Sequence, residues 1–277
     1  MTKDTPQVLS IIDVIRYIYK FATDSRKAGL AIDVGAHVGQ FSKELIDSGL
    51  FAGVIAFEPN PANADALVEL ASRERRITVV ACAVGAVEGE REFHCDDNTF
   101  TGSLLAYHKD YVTNGMVKKL SVPVVTLDAY RASTAFAGER VSLVKIDTQG
   151  HDLAVIQGAS QTLRSDRPLV IAELIYMPMY LGQALPDEIF GQLRKDGYEL
   201  YSLFNIHATI EGRMAYADAI FVPRELDVRQ TQRFVQLDNH VSYHAQIKAL
   251  ERVCHERLAV INILDAEVKR LSSMNRE

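Results

Sequence analysis

The chain has 277 residues, 48% of them hydrophobic, and a formal net charge of -6. This length suits one large α/β domain with appendages or two small domains, and the acidic balance argues against electrostatically driven nucleic-acid binding. Three scattered cysteines (Cys82, Cys95 and Cys254) argue against a disulfide framework or a C-x-x-C metal site. With no signal-peptide pattern and no run of ~18 apolar residues, the expectation is a cytoplasmic chain without a transmembrane segment.

Residues 4–27 are the first predicted helix. Asp4 or Thr5 stands at the cap and Pro6 in the first turn. Val8, Ile11, Ile12, Ile15 and Ile18 then recur at helical spacing. The expected role is packing on the domain that follows, ahead of a lid role.

Residues 30–41 organise the rest of the chain. An apolar run, 30–34, is cut by a turn bearing Gly35 and Gly39, and an amphipathic segment follows. This is a buried strand, a tight loop and the start of a helix. Gly35 has no Cβ, so the backbone can turn sharply and approach a ligand there. The dinucleotide fingerprint G-x-G-x-x-G is not met, because His37 stands where its second glycine belongs.

The second predicted strand, 53–57, ends in Glu58-Pro59-Asn60-Pro61, with a helix starting near Ala62. Glu58 lies where Rossmann-like sheets place an acid against ribose hydroxyls. A third strand, 77–82, runs into Ala83, and a short extra strand covers 91–94. His94, Cys95, Asp96 and Asp97 are contiguous, so on a strand they point alternately to opposite faces and do not converge on a metal. Residues 98–103 read as a loop over the pocket. Residues 121–125 read as a short strand whose Pro123 points to a sheet edge.

The second informative stretch is 141–152, a strand ending in Asp147, then Thr148-Gln149-Gly150 and a helix. In a doubly wound sheet this strand neighbours the first, which turns Asp147 toward the same crevice as Asp33 and Gly35. Residues 168–172 form a further strand ending in Glu173, followed by an aromatic and methionine-rich segment, 175–180. A helix over 186–195 and two closing strands, 198–204 and 217–222, complete the domain.

Four features fall together: Ile32-Asp33-Val34-Gly35-Ala36, Phe57-Glu58-Pro59-Asn60, Val125-Thr126-Leu127-Asp128, and Lys145-Ile146-Asp147-Thr148-Gln149-Gly150 with a helix ending near Gly158-Ala159. Together they resemble the FkbM family of S-adenosylmethionine-dependent methyltransferases, over roughly residues 28–224. His37 stands where that family commonly carries Asn, and Asp152 where it usually carries Glu. The resemblance implies a class I methyltransferase fold: an α/β Rossmann-like, mostly parallel seven-stranded sheet with helices on both faces and a closing antiparallel pair. It implies S-adenosylmethionine as cofactor and O-methylation of a sugar, glycan or small natural product.

The expected cofactor-binding residues are Asp33, Gly35, His37, Gly39, Glu58, Pro59, Asn60, Ala83 by its backbone, and Asp147. His151 is the first candidate for general base, because imidazole titrates near neutral pH. Asp147 and Glu173 are further catalytic candidates, and Asp152 and His207 weaker ones. No metal is expected. The place after the fourth main strand lacks the Asn/Asp-Pro-Pro-aromatic loop of amino-group methylation and the cysteine of cytosine C5 methylation.

Residues 225–277 lie beyond this domain, as 1–27 lie before it. From Ile247 a heptad seam carries Ile247, Cys254, Ile261 and Val268 at a, and Leu250, Arg257, Leu264 and Leu271 at d. That pattern favours a parallel two-stranded coiled coil and a homodimer; a long helix folded back on the domain competes with it. Two other functions stay open: an NAD-dependent oxidoreductase on a Rossmann-like sheet, and a non-catalytic assembly protein built around the coiled coil.

Overall fold

The computed structural model describes residues 10–21, 29–97, 99–111, 113 and 115–226. The heptad seam from Ile247, and the Asp4-to-Pro6 helix start, lie outside the described residues. The first elements are α1 (Ile11–Phe21), β1 (Leu30–Val34), α2 (Gln40–Asp47), β2 (Gly53–Phe57), α3 (Pro61–Arg73) and β3 (Ile77–Val80). There follow β4 (Ala83–Val84), β5 (Gly89–Cys95), β6 (Lys118–Val125), α4 (Leu127–Ser133) and β7 (Val141–Ile146). The last are α5 (Asp152–Gly158), α6 (Ser160–Ser165), β8 (Leu169–Ile175), α7 (Pro186–Lys195), β9 (Tyr198–Ala208) and β10 (Met214–Pro223).

Seven strands form one sheet in the order β3-β2-β1-β7-β8-β10-β9. The first five run parallel, and β10 is antiparallel to both β8 and β9. This is the class I methyltransferase arrangement. The central strands β1, β2, β7 and β8 are apolar on both faces because both faces are covered. Alternate residues of β1 serve the two cores. Ile32 and Val34 pack with Ile156, Leu163 and Leu193 of the α4–α7 side. Ala31 packs with Ile15, Leu45 and Leu67 of the α1–α3 side.

α1 is a packing helix. Ile15 and Ile18 are fully buried, and the Tyr19 hydroxyl donates to the Ser142 carbonyl at 2.6 Å. Its described start is a capping box. The Asp13 N–H donates to Ser10 Oγ at 3.1 Å, and the Ser10 N–H donates to Asp13 Oδ2 at 3.2 Å.

The predicted edge strand around Pro123 needs correction. It is β6, the middle strand of a second sheet ordered β4-β6-β5. Pro123 is tolerated there because β4 is two residues long and pairs with Val124 and Val125 alone. On the other side Pro123 registers with Glu90 of β5. A proline without an N–H costs a ladder bond where two full strands flank it, and here one flank is short. Among the described residues no helix is long and apolar enough to cross a membrane.

Candidate active site

β1 reaches its sequence neighbours on one side through β2 and meets β7 on the other, so the order reverses between β1 and β7. The crevice at their carboxyl ends is where such sheets place ligands. A cavity of about 640 Å³, open to solvent, lies there. Gly35, His37, Glu58, Pro59, Ala83, Asp147 and His151 all line it. Phe93, Phe100 and Leu104 supply an apolar wall from the second sheet and the loop after it.

Glu58 is 5% exposed at the end of β2. Its Oε2 accepts the His37 N–H at 2.8 Å and its Oε1 accepts the Asn60 N–H at 2.9 Å. Burial pushes its pKa up, and these backbone donors act the other way. The carboxylate is thus held in one orientation with lone pairs to spare. Asn60 itself is occupied in capping α3, its side chain accepting the Ala62 N–H at 3.2 Å.

Gly35 has φ +75°, and a Cβ there would sit 1.9 Å from the Asp147 carbonyl oxygen. The β1 and β7 turns therefore touch at backbone distance. Gly39 is used differently: with φ +87°, its missing Cβ makes room for Leu67 and Leu70 of α3. Gly39 packs α2 against α3 and is absent from the cavity lining. The His37 ring stacks on Phe100 with centroids 4.1 Å apart. Burial lowers the His37 pKa, with Asp147 raising it and Lys145 lowering it further.

Asp33 is fully buried beneath the loop and does not line the cavity. Its Oδ2 accepts the Ser42 hydroxyl of α2 at 2.6 Å. Its Oδ1 lies 3.3 Å from Lys145 Nζ. Lys145 also donates to the Gly35 carbonyl at 3.0 Å and lies 3.4 Å from Asp147 Oδ2. Burial disfavours the ammonium, but Asp147 and Asp33 outweigh it and hold its pKa above the ordinary lysine value. Lys145 thus ties the β1 turn to the β7 turn. The sequence reading passed over it as a strand residue, although a lysine inside an apolar strand, two residues before an acid, marks a buried partner.

Beyond Asp147 the acids gather. Gln149 Nε2 donates to Asp147 Oδ1 at 2.9 Å and to Glu173 Oε2 at 2.9 Å. The Glu173 pKa is raised by burial, then by Asp147, Asp152 and Asp218, with Lys145 opposing. His151 stands elsewhere: its Nε2 would lie 3.1 Å from a Cβ on Gly85, just past β4. Burial alone lowers its pKa, with no carboxylate contributing. His207 of β9 stacks on Tyr216 at 4.3 Å. Gln149, Phe93 and Phe100 were missed by sequence reasoning. Gln149 lay within a recognised turn and Phe100 within the loop expected over the pocket, whereas nothing local marks Phe93.

Asp152, the first residue of α5, is 1% exposed. Burial first, then Asp147, pushes its carboxyl up to about 7, against a Thr148 hydroxyl that donates at 3.0 Å. The folded protein therefore keeps a proton that the unfolded chain, near the ordinary 3.8, releases. This group favours folding at acidic pH, and that contribution is lost as pH rises from about 4 through 7. Asp152→Asn is expected to stabilise the protein at pH 8 by on the order of 2 kcal/mol, with little change at pH 4. Urea unfolding at the two pH values measures this; an equal effect at both would refute it.

The profile of the methyltransferase FkbM domain matches residues 33–200. No curated protein matches the chain by sequence. Among solved structures, the methyltransferase FkbM from Methylobacillus flagellatus KT aligns at 16% identity with a TM-score of 0.45, covering 70% of this chain and 43% of that one. This chain thus spans less than half of that relative's length. Magnesium protoporphyrin IX methyltransferase from Synechocystis PCC 6803, solved with bound SAH, aligns at 13% identity with a TM-score of 0.43, covering 76% of this chain and 81% of that one. Precorrin-6y C5,15-methyltransferase from Geobacter metallireducens GS-15 aligns at 13% identity with a TM-score of 0.39, covering 79% and 90%. A domain profile that takes in more than half of the sequence, from the Asp33 turn to β9, makes this chain a member of the methyltransferase FkbM family, with S-adenosylmethionine as its cofactor.

Proposed function

We propose that the protein transfers a methyl group from S-adenosylmethionine to a hydroxyl oxygen of a sugar, glycan or small natural product. The observation that carries this reading is an oriented carboxylate, Glu58, in the cofactor cavity, with Gln149 of the cavity lining bonded to a second carboxylate, Glu173, behind it. When bound, the cofactor supplies an electrophilic methyl group on a sulfonium sulfur. Glu58 suits the ribose hydroxyls, since its orientation is set by two backbone donors. Asp147 suits the cofactor's ammonium group, and the Phe93, Phe100 and Leu104 wall suits the adenine.

Methyl transfer to oxygen needs alignment and a group to take the hydroxyl proton. Glu173 is assigned that role, because its raised pKa makes it a stronger base than an ordinary carboxylate. His151 is assigned to the cofactor side, against Gly85. Asp33 acts through Lys145, by holding the turn that carries Gly35. Family membership, and His37 in place of a second loop glycine, weigh against the nicotinamide reading.

Isothermal titration with S-adenosylhomocysteine tests the cofactor half, with NAD as comparison. Glu58→Ala is expected to weaken binding by roughly 10- to 100-fold, the worth of a charge-assisted hydrogen bond pair. Absence of saturable binding to the folded wild type would refute the reading. Methyl transfer to hydroxyl compounds tests the acceptor half, and a product methylated on nitrogen instead would remove the oxygen assignment.

A further inference from the structure

Gln149 occupies the β7 turn with a left-handed backbone, φ +55°. Its amide nitrogen donates to Asp147 and to Glu173, each at 2.9 Å. Its amide oxygen accepts the Tyr180 hydroxyl at 2.7 Å. The partners decide the amide's orientation, since two carboxylates need donors and a phenol needs an acceptor. Tyr180 is 2% exposed, and its ring lies 5.5 Å from Tyr107 and 6.0 Å from Tyr111. Its hydroxyl has a second acceptor in the Thr101 carbonyl at 3.0 Å. One amide therefore joins the cofactor-side acid, the acceptor-side acid and the aromatic wall.

Two carboxylates bridged by one amide nitrogen repel, and burial and that repulsion both favour the protonated form of Glu173. The charged groups facing Glu173 are Asp147 and Lys145 from β7 and its turn, Asp152 from α5 and Asp218 from β10. The hydroxyls of Tyr111, Tyr180 and Tyr216 face it as well. Within this mostly negative set, the Gln149 N–H groups are neutral donors that separate Asp147 from Glu173.

We propose that Gln149 is a positioning residue for methyl transfer, whose amide N–H groups bridge the Asp147 and Glu173 carboxylates and offset their mutual repulsion. This rests on the reading above, in which Asp147 meets the cofactor and Glu173 the acceptor hydroxyl. A merely structural Gln149 would instead staple the turn to the Tyr180 segment, with no effect on proton binding.

The test is titration with S-adenosylhomocysteine from pH 5.5 to 8.5 for the wild type, Gln149→Glu and Gln149→Met. Glutamate keeps the length and the acceptor for Tyr180, loses the N–H donors and adds a carboxylate. Methionine keeps the length and neither polar end. The wild type is expected to lose affinity on acidification. In Gln149→Glu the midpoint of that loss moves up by about one pH unit or more, and in Gln149→Met by less. A common midpoint for all three, with binding uniformly weaker, would leave Gln149 a staple and overturn the proposal. A wild type that binds equally well across the range would overturn it too. Thermal melts establish folding; if Gln149→Glu does not fold, the Gln149→Met midpoint decides. A folded wild type that binds at no pH removes the methyltransferase reading and this one with it, which separates the two failures.

Discussion

Lys145→Met is expected to destabilise the protein by about 3–5 kcal/mol, the cost of leaving a buried charge without its partner. Asp33 has no exposed surface, and the Ser42 hydroxyl also donates to it. Removing the ammonium 3.3 Å away leaves Asp33 to protonate or to draw water into the core. The loss also frees the Gly35 carbonyl, so the loop that shapes the cavity loosens with the fold. The destabilisation is expected to exceed that of an exposed pair such as Arg73 with Glu69, which is worth well under about 1 kcal/mol. The double change Asp33→Leu with Lys145→Met is expected to recover much of the stability, because neither member of the buried pair is left behind. Urea unfolding of the three variants measures this. A loss below about 1 kcal/mol in Lys145→Met would mean that Asp33 finds another partner.

Gly35→Ala is expected to abolish saturable S-adenosylhomocysteine binding at concentrations that saturate the wild type. The added methyl would meet the Asp147 carbonyl oxygen at 1.9 Å, and that oxygen belongs to backbone that cannot swing aside. The β1 and β7 turns must part, and both carry cavity residues. Gly49→Ala is the control. Gly49 also has positive φ, +69°, but nothing lies within 4 Å of its Cβ position. The two substitutions share a backbone penalty of about 1–2 kcal/mol. Only Gly35→Ala is expected to lose binding as well. Equal binding by both variants would show that the close approach of the turns does not shape the cofactor site.

The frame of the protein was legible in local pattern. Apolar runs ending in Asp33, Glu58, Asp147 and Glu173 place strands and put their carboxyl ends together, because parallel strands covered on both faces leave little else for an acid to do. Gly35 announced its turn for the same reason: a left-handed, crowded backbone admits no side chain. What an acid does once it arrives was not legible. Asp33, next to last in β1, and Glu58, just after β2, stand at matching places in neighbouring βα units, yet one is sealed against Lys145 and the other faces the cavity.

Side-chain direction explains the difference. Asp33 shares the α1–α3 side with Ala31 and so points under α2, where Ser42 and Lys145 meet it. Glu58 follows the last residue of β2, and the chain turns there toward Asn60, which aims its carboxylate at the His37 N–H. Gly39 shows the same limit, since a packing glycine and a ligand-binding glycine look alike until the helix opposite is known. His151 and Gln149 are two residues apart in one turn, and alternate positions there face Gly85 and Glu173. Chain pattern alone specified the main strands of the large sheet and the pairing of the first with 141–146, and it pointed to the family; it did not specify the second sheet around Pro123. The division of those residues between cofactor, acceptor and core came from tertiary packing, because it depends on which distant side chain each one meets.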